Sequence, residues 1–230
     1  MRQNLARLIC DNLLSGLIAP SQLSTCVHVR VILECVGQAF SLPLDSSNTI
    51  ESAVEIYRRW ILEPKKQPPP IQEDEQFFYK EMFKHLSLVF TKRTSNESVE
   101  NETTGKAIRQ IQKDNSLQDA IHSHTNICNS VLDLFRNVGV SLKKKMMDDT
   151  WEVLLKIVLG IADAILSEPL NSSTVSENLV ANILNVSYIF TKIINFFFID
   201  FLGNFYSGIL SFQFFFCYLP TTIKNLRTKK

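Results

Sequence analysis

The sequence predicts an all-α fold of antiparallel helix pairs, and three observations carry that expectation. Apolar residues recur at intervals of three and four along most of the chain, which lays them on one face of a helix. Residue pairs suited to capping an N-terminus stand before three of these segments. Glycine is scarce, with 7 in 230 residues, so tight β-turns and phosphate-cradling loops lack the residue they need.

Residues 2–17 carry Leu5, Leu8, Ile9, Leu13 and Leu14 at helical spacing, and Gly16 and Pro20 mark the exit. A more thoroughly apolar stretch, 23–40, contains Val27, Val31, Ile32, Cys35, Val36 and Phe40. Its β-branched content admits a strand, but its length and spacing predict a buried helix. Residues 41–45 form a connector, because Pro43 lacks an amide donor and steers Leu42 away from helical angles. Asn48 and Glu51 resemble a capping box opening a helix with Ile50, Val54, Tyr57 and Ile61 on one face and Trp60 alongside. The proline-rich run 63–70 reads as an extended spacer.

The next helix, 73–91, presents Phe77, Phe78, Met82, Phe83, Leu86, Val89 and Phe90. Residues 92–105 are polar without apolar period and read as an exposed loop. Helical text follows over 106–138, with Ile108, Ile111, Ile121, Val131, Leu134, Phe135 and Val138. Asp114-Asn115-Ser116 is expected to break it in two, because such side chains compete for backbone hydrogen bonds. Asp149 and Glu152 make a second capping box, opening a helix striped by Trp151, Leu154, Leu155, Val158, Ile161, Ala162 and Ile165. Glu168-Pro169 ends it. Thr174 and Glu177 form a third box, leading into Leu179, Val180, Ile183, Leu184 and Val186. Six or seven amphipathic helices joined this way suggest stacked pairs, an armadillo/HEAT-like α-solenoid fragment, although no clean internal repeat is present.

Composition narrows the function. Net charge is +1, without the surplus of Lys and Arg that a general nucleic-acid binder needs. The five cysteines (Cys10, Cys26, Cys35, Cys128 and Cys217) are odd in number and scattered, with no CxxC pair. Reduced, mostly buried thiols in the cytoplasm are expected. Asp11 and Asn12 interrupt the first apolar stretch before it can form the h-region of a signal peptide. Without secretion, the Asn-x-Ser/Thr matches at Asn96, Asn101, Asn171 and Asn185 are chance occurrences.

Two stretches carry a family resemblance. One runs through Phe40-Ser41-Leu42-Pro43-Leu44-Asp45 and Val54-Glu55-Ile56-Tyr57-Arg58-Arg59-Trp60-Ile61 to Lys84-His85-Leu86. The other runs from Thr150-Trp151-Glu152-Val153-Leu154-Leu155 through Asp163-Ala164-Ile165-Leu166 to Ser176-Glu177-Asn178-Leu179. Their order and spacing resemble the N-terminal helical region of the β subunit of the Ral GTPase-activating protein (RalGAP) complex. The α subunit and tuberin are more distant relatives in that class. The likeness covers about 25–188, with an unmatched stretch around 92–145. It implies a helical scaffold that partners a catalytic α-type subunit and acts on a Ral-like small GTPase only through it. The catalytic Asn of this class lies in a C-terminal fold, and no position here matches it.

Several constellations invite a chemical reading. His122-Ser123-His124 with Cys128 offers three metal ligands, but a closed zinc site needs a fourth. Cys128 lies one helical turn from His124, yet no orienting residue or oxyanion donor accompanies the pair. Asp148, Asp149 and Glu152 are better explained as helix-start acids facing the positive end of the dipole than as paired catalytic carboxylates. Lys143-Lys144-Lys145 reads as a solvated loop. Trp60 and Trp151 lie within amphipathic patterns, so core packing is expected over a partner-anchoring role. Catalytic, cofactor and metal residues are therefore assigned to none, and the chain is not expected to be an enzyme.

Departure from the family is expected near Tyr188, which divides a helical domain, 1–188, from a tail, 189–230. Ten of the sixteen phenylalanines lie between Phe190 and Phe216, in a composition that A/T-rich codons encode, which suggests translated non-coding sequence or an alternative transcript. Within 193–219 the only charge is Asp200. The length suffices for a membrane helix, at a cost of about 2.5–3.5 kcal/mol if Asp200 lay near the bilayer centre. The sequence therefore points to a cytoplasmic, non-catalytic scaffold of a RalGAP-type complex, with a membrane-anchored helical protein as the alternative.

Overall fold

The computed structural model describes residues 2–91, 106–167 and 179–190, with side chains at 3–91, 122–165 and 179–190. The expected loop 92–105, the third capping box, the sequons at Asn96, Asn101 and Asn171, Cys217 and the tail segment 193–219 lie outside them. Residues 1–190 fall in one compact unit. Among the described residues every regular element is helical. In chain order these are α1 (Arg2–Ser15), α2 (Cys26–Ala39), α3 (Ser47–Leu62), α4 (Pro69–Glu73), α5 (Glu75–Ser87), α6 (Lys106–Ser141), α7 (Asp148–Ser167) and α8 (179–190).

The packing follows a simple order. α1 lies against α3, and α3 against α6; α2 lies against α5, and α5 against α7. α1 also packs on α2, and α3 on α5. Residues 179–190 rejoin α6 and α7: Asn182 Nδ2 donates to Asn129 Oδ1 at 2.8 Å, and Phe190 meets Trp151 edge-on at 5.8 Å. Phe190, assigned by composition to the foreign tail, is thus a fully buried helical residue. The helix does not stop at Tyr188 because Val186 and Phe190 lie four apart and are both buried.

The centre is built from α3 and α5. Ile50, Val54, Tyr57, Trp60 and Ile61 are buried on α3, and Phe78, Met82, Phe83 and Leu86 on α5, as the periodicity predicted; Tyr79, which it did not single out, is buried as well, and Phe77 only half-buried. Phe83 meets Phe135 of α6 edge-on at 6.1 Å and lies 6.4 Å from Tyr79. Trp60 and Trp151 are core residues, 4% and 8% exposed.

Five expectations are corrected. The α1–α2 pair buries a different face from the one its largest side chains suggested. Ala6 and Cys10 are buried while Leu5 and Leu8 face solvent, and on α2 Val29, Leu33 and Val36 are buried while Val27 and Val31 are exposed. Small residues on α1 allow close helix approach, and that contact decided the face. The start of α3 is not capped by Asn48: the helix begins at Ser47 on a preceding 3₁₀ turn, and Ser46 instead accepts from Gln3 Nε2 of α1.

Run 63–70 is no extended spacer. Pro64–Lys66 forms a 3₁₀ turn and Pro69-Pro70 opens α4, positions where proline costs no hydrogen bond. Between them the buried Gln67 donates through Nε2 to the Trp60 carbonyl and, at 3.0 Å, to Tyr79 Oη. α6 runs unbroken through Asp114-Asn115-Ser116, because those residues lower helix propensity by only about 0.7 kcal/mol each or less. Finally, Asp149 and Glu152 form no capping box. Asp149 pairs with Lys80 at 2.7 Å and Glu152 with Lys156 at 2.6 Å, although Asp148 and Asp149 do occupy the first turn of α7, where acids suit the dipole.

Candidate functional site

Several polar side chains join one helix or connection to another. The clearest group links α5 to the α6–α7 connection. Gln76 donates through Nε2 to the Lys145 carbonyl at 3.1 Å and accepts through Oε1 from the Met147 amide at 3.0 Å. Lys145 pairs with Glu75, and Lys80 with Asp149. The hydrogen bond from Lys80 holds the Asp149 carboxyl below its ordinary range. The lysine run is therefore partly used: Lys145 fastens the connection, and Lys144 is exposed.

A second group lies inside. Tyr57 Oη donates to the Leu33 carbonyl at 3.1 Å, so it accepts from His85 Nδ1 at 2.8 Å. Three helices (α2, α3 and α5) meet at this tyrosine. The His85 ring stacks near Tyr57, and a Cβ added at Gly37 would stand 2.5 Å from its Nδ1. Glu34 Oε1 lies 4.0 Å from His85 Nε2. Burial lowers the His85 pKa below its ordinary 6.5, and the charges of Glu34 and Glu81 only partly oppose this. Nothing in the residue spacing marks His85, Gly37 and Tyr57 as one group.

A pH dependence follows. Because the folded pKa is depressed, the unfolded chain binds a proton that the folded chain refuses. The stability from a neutral His85 is complete above 6.5 and falls as pH drops from 6.5 toward the folded value. Urea midpoints across that window should decline for the native chain, and less steeply for His85→Gln. Parallel slopes would count against this.

The histidine–cysteine constellation resolves into structural contacts. His122 is exposed. His124 Nε2 lies 2.9 Å from the Val89 carbonyl and 3.6 Å from Cys128 Sγ. Since a carbonyl only accepts, Nε2 carries the proton and is not free to act as a base toward the thiol. Among the described residues no group of three or more His, Cys, Asp and Glu is placed to hold a metal ion. The described cysteines are free thiols, but only Cys10 and Cys128 are buried, with Cys35 half-buried and Cys26 exposed. Burial, with Asp11 beside it, pushes Cys10 up to about 12, so that thiol is a poor nucleophile.

What remains is surface. Leu5, Leu8, Leu17, Val27 and Val31 are large apolar residues open to solvent on the first helix pair and its connection. A hollow of about 170 Å³ lies between the end of α1 and α3. Sequence periodicity could not reveal either feature, since periodicity reports which residues are apolar and not which face is left uncovered.

These features define an all-helical protein, among the described residues, in which a few polar groups fasten helix to helix. Comparison with known proteins adds a likeness in sequence. Residues 120–194 match the family model of the RALGAPB N-terminal domain. The β subunit of the Ral GTPase-activating protein is 27% identical in mouse over 172 residues, and 26% identical in human over 170. These alignments cover 73% and 72% of this chain and 10% of each relative. A Rap-GAP domain-containing protein of Dictyostelium discoideum is 37% identical over 68 residues, 29% of this chain and 4% of its own. No solved structure matches. The chain thus spans a tenth or less of the length of these relatives.

The resemblance to the N-terminal helical region of the RalGAP β subunit is borne out. The family match begins inside the stretch around 92–145 that the residue patterns left unmatched, and it continues to residue 194, past the expected departure at Tyr188.

Proposed function

We propose that this chain is a non-catalytic scaffold of a RalGAP-type assembly, which contributes to the regulation of Ral-like small GTPases by binding a catalytic α-type subunit. The observation that carries this reading is the order of helix contacts. α1 packs on α3 and α3 on α6, while α2 packs on α5 and α5 on α7; on this reading successive helix pairs would stack as an armadillo/HEAT-like α-solenoid, an architecture that offers extended docking faces. The likeness to RalGAP β subunits supports the choice of partner. Residues 1–188 are the docking domain on this reading, and no cofactor or nucleic acid is involved.

The test is co-purification. The tagged chain, co-expressed with a RalGAP α subunit, is expected to retain it on affinity resin. Failure under conditions where the β-subunit N-terminal region does retain it would sink the proposal.

This reading places the protein in the cytoplasm. No described helix is long and apolar enough to cross a membrane, and 193–219 lies outside those described. The alternative, a membrane-anchored helical protein, rests on the uncharged run 201–219. Alkaline carbonate extraction separates the two: release into the supernatant is expected, and a resistant pellet would favour the anchor.

A further inference from the structure

One turn of α2 meets the His85 ring at three points. The Leu33 carbonyl takes the Tyr57 hydroxyl proton at 3.1 Å, and Tyr57 Oη lies 2.8 Å from His85 Nδ1. Glu34 Oε1 stands 4.0 Å from the other ring nitrogen, Nε2. Gly37 lies against the ring itself: a Cβ there would be 2.5 Å from Nδ1, 2.6 Å from Cε1 and 2.9 Å from Cγ.

A tyrosine hydroxyl has one proton, and a carbonyl only accepts. With that proton given to Leu33, a neutral His85 carries its own on Nδ1, and Nε2 is left bare. An added proton therefore has one place to go. The 4.0 Å gap from Nε2 to Glu34 is too long for a hydrogen bond. While the ring stays in place, the new charged donor has no acceptor, and the histidine side chain is only 14% exposed. Moving outward brings Nε2 to the Glu34 carboxylate, which is 66% exposed, and to water. The same movement gives up Tyr57 and empties the space over Gly37.

The surrounding charges leave Glu34 as the destination. Glu34 of α2 and Glu81 and Lys84 of α5 act on the ring, but Glu81 is already paired with Lys84 at 2.6 Å. Tyr57 of α3 and Cys10 of α1 face the same contact, and burial keeps both neutral.

We propose that His85 is an acid-released latch: a proton on Nε2 swings the ring out to Glu34, breaks its bond to Tyr57 and loosens α2 from α5 before the other helices unfold. Burial makes the closed ring resist protonation, whereas a released ring titrates as an ordinary histidine, so release takes up a proton. The sign follows. The latch is shut above 6.5, and its opening grows up to about tenfold per pH unit on descending from 6.5 toward the closed-state value. This device goes beyond the partner-binding reading and does not depend on it. A purely global loss of stability would lower protection in all helices alike, whereas the latch lowers it in α2 first.

Hydrogen–deuterium exchange of the full chain, read by mass spectrometry and corrected for the intrinsic pH dependence of exchange, tests this. Between about pH 7.5 and about pH 5.5, peptides covering α2 are expected to lose protection several-fold or more, while peptides of α7 keep theirs. In His85→Gln the α2 loss should disappear. Gly37→Ala, whose Cβ holds the ring out, should show it already at about pH 7.5. Long-range ¹H–¹⁵N correlation on histidine-labelled protein should find the His85 ring proton on Nδ1 at the higher pH. If His85→Gln does not fold, the comparison of α2 with α7 in the native chain and the ring tautomer still decide. No loss in α2, an equal loss in α7, a loss that persists in His85→Gln, native α2 protection in Gly37→Ala, or a neutral ring protonated on Nε2 would each overturn the proposal.

Discussion

Replacing Phe83 by alanine is expected to lower the unfolding free energy by about 3–5 kcal/mol, the largest effect of any substitution considered. Phe83 has no exposure. Its ring lies 6.1 Å from Phe135 on α6 and 6.4 Å from Tyr79 on its own helix. Truncation removes transfer free energy and leaves a cavity between α5 and α6 that the packed helices cannot easily close. Folded domains are stable by only about 5–15 kcal/mol, so this loss is a large share of the total. Urea denaturation followed by circular dichroism measures it. Phe77 is the control: it is half-buried beneath Arg30, whose guanidinium carbon sits 4.7 Å from the ring centre, and Phe77→Ala should cost clearly less. Equal costs would mean that the α5–α6 contact is not a core contact.

Two glycine substitutions should act in opposite directions, although both lie inside helices. Alanine gains roughly 0.8–1.0 kcal/mol over glycine in helix propensity. At Gly160 an added Cβ meets nothing within 4 Å, so Gly160→Ala is expected to stabilise by about that amount. At Gly37 the added Cβ would stand 2.5 Å from His85 Nδ1 and 2.6 Å from Cε1. The ring cannot retreat without giving up Tyr57, and Tyr57 is also bonded to the Leu33 carbonyl. Overpacking of this kind costs about 1–3 kcal/mol, which exceeds the propensity gain at all but its lower end. Gly37→Ala should therefore lower the denaturation midpoint while Gly160→Ala raises it. A shift of the same sign for both would refute the close approach of α2 and α5.

The pairing explains how much of the molecule was readable in advance. Helix positions followed from three-to-four spacing because burial of an apolar stripe is a local demand: Ile50, Val54, Tyr57 and Ile61 had to share a side whatever they packed against. Boundaries were less legible. Asn48 and Asp149 look like capping residues, but the start of α3 is fastened by Ser46, which accepts from Gln3 of α1, and Asp149 pairs with Lys80 of α5, so tertiary bonds stand where local ones were expected. The proline run was misread for a related reason. Its prolines fall where a helix has no hydrogen bond to lose, and the buried side chain of Gln67 fastens the corner to Trp60 and Tyr79.

The candidate surface was the least legible part. Leu5 and Leu8 looked like core residues by type, and only the close approach of Ala6 and Cys10 to the neighbouring helices left them outside. The hollow beside Trp60 depends on residues from α1, the following connection, α3 and the 3₁₀ turn after it, brought together by the fold alone.

By itself, the sequence determined that this protein is helical, where most of its helices lie, and that its likeness is to RalGAP β subunits, because each of these depends on residue type and order along one segment. Tertiary structure decided which face of α1 and α2 is covered, that Gly37 must stay small, that Phe190 joins the core, and where an open apolar hollow remains. Those outcomes depend on distances between segments remote in the chain, and the pattern within any one helix carries no information about its neighbour.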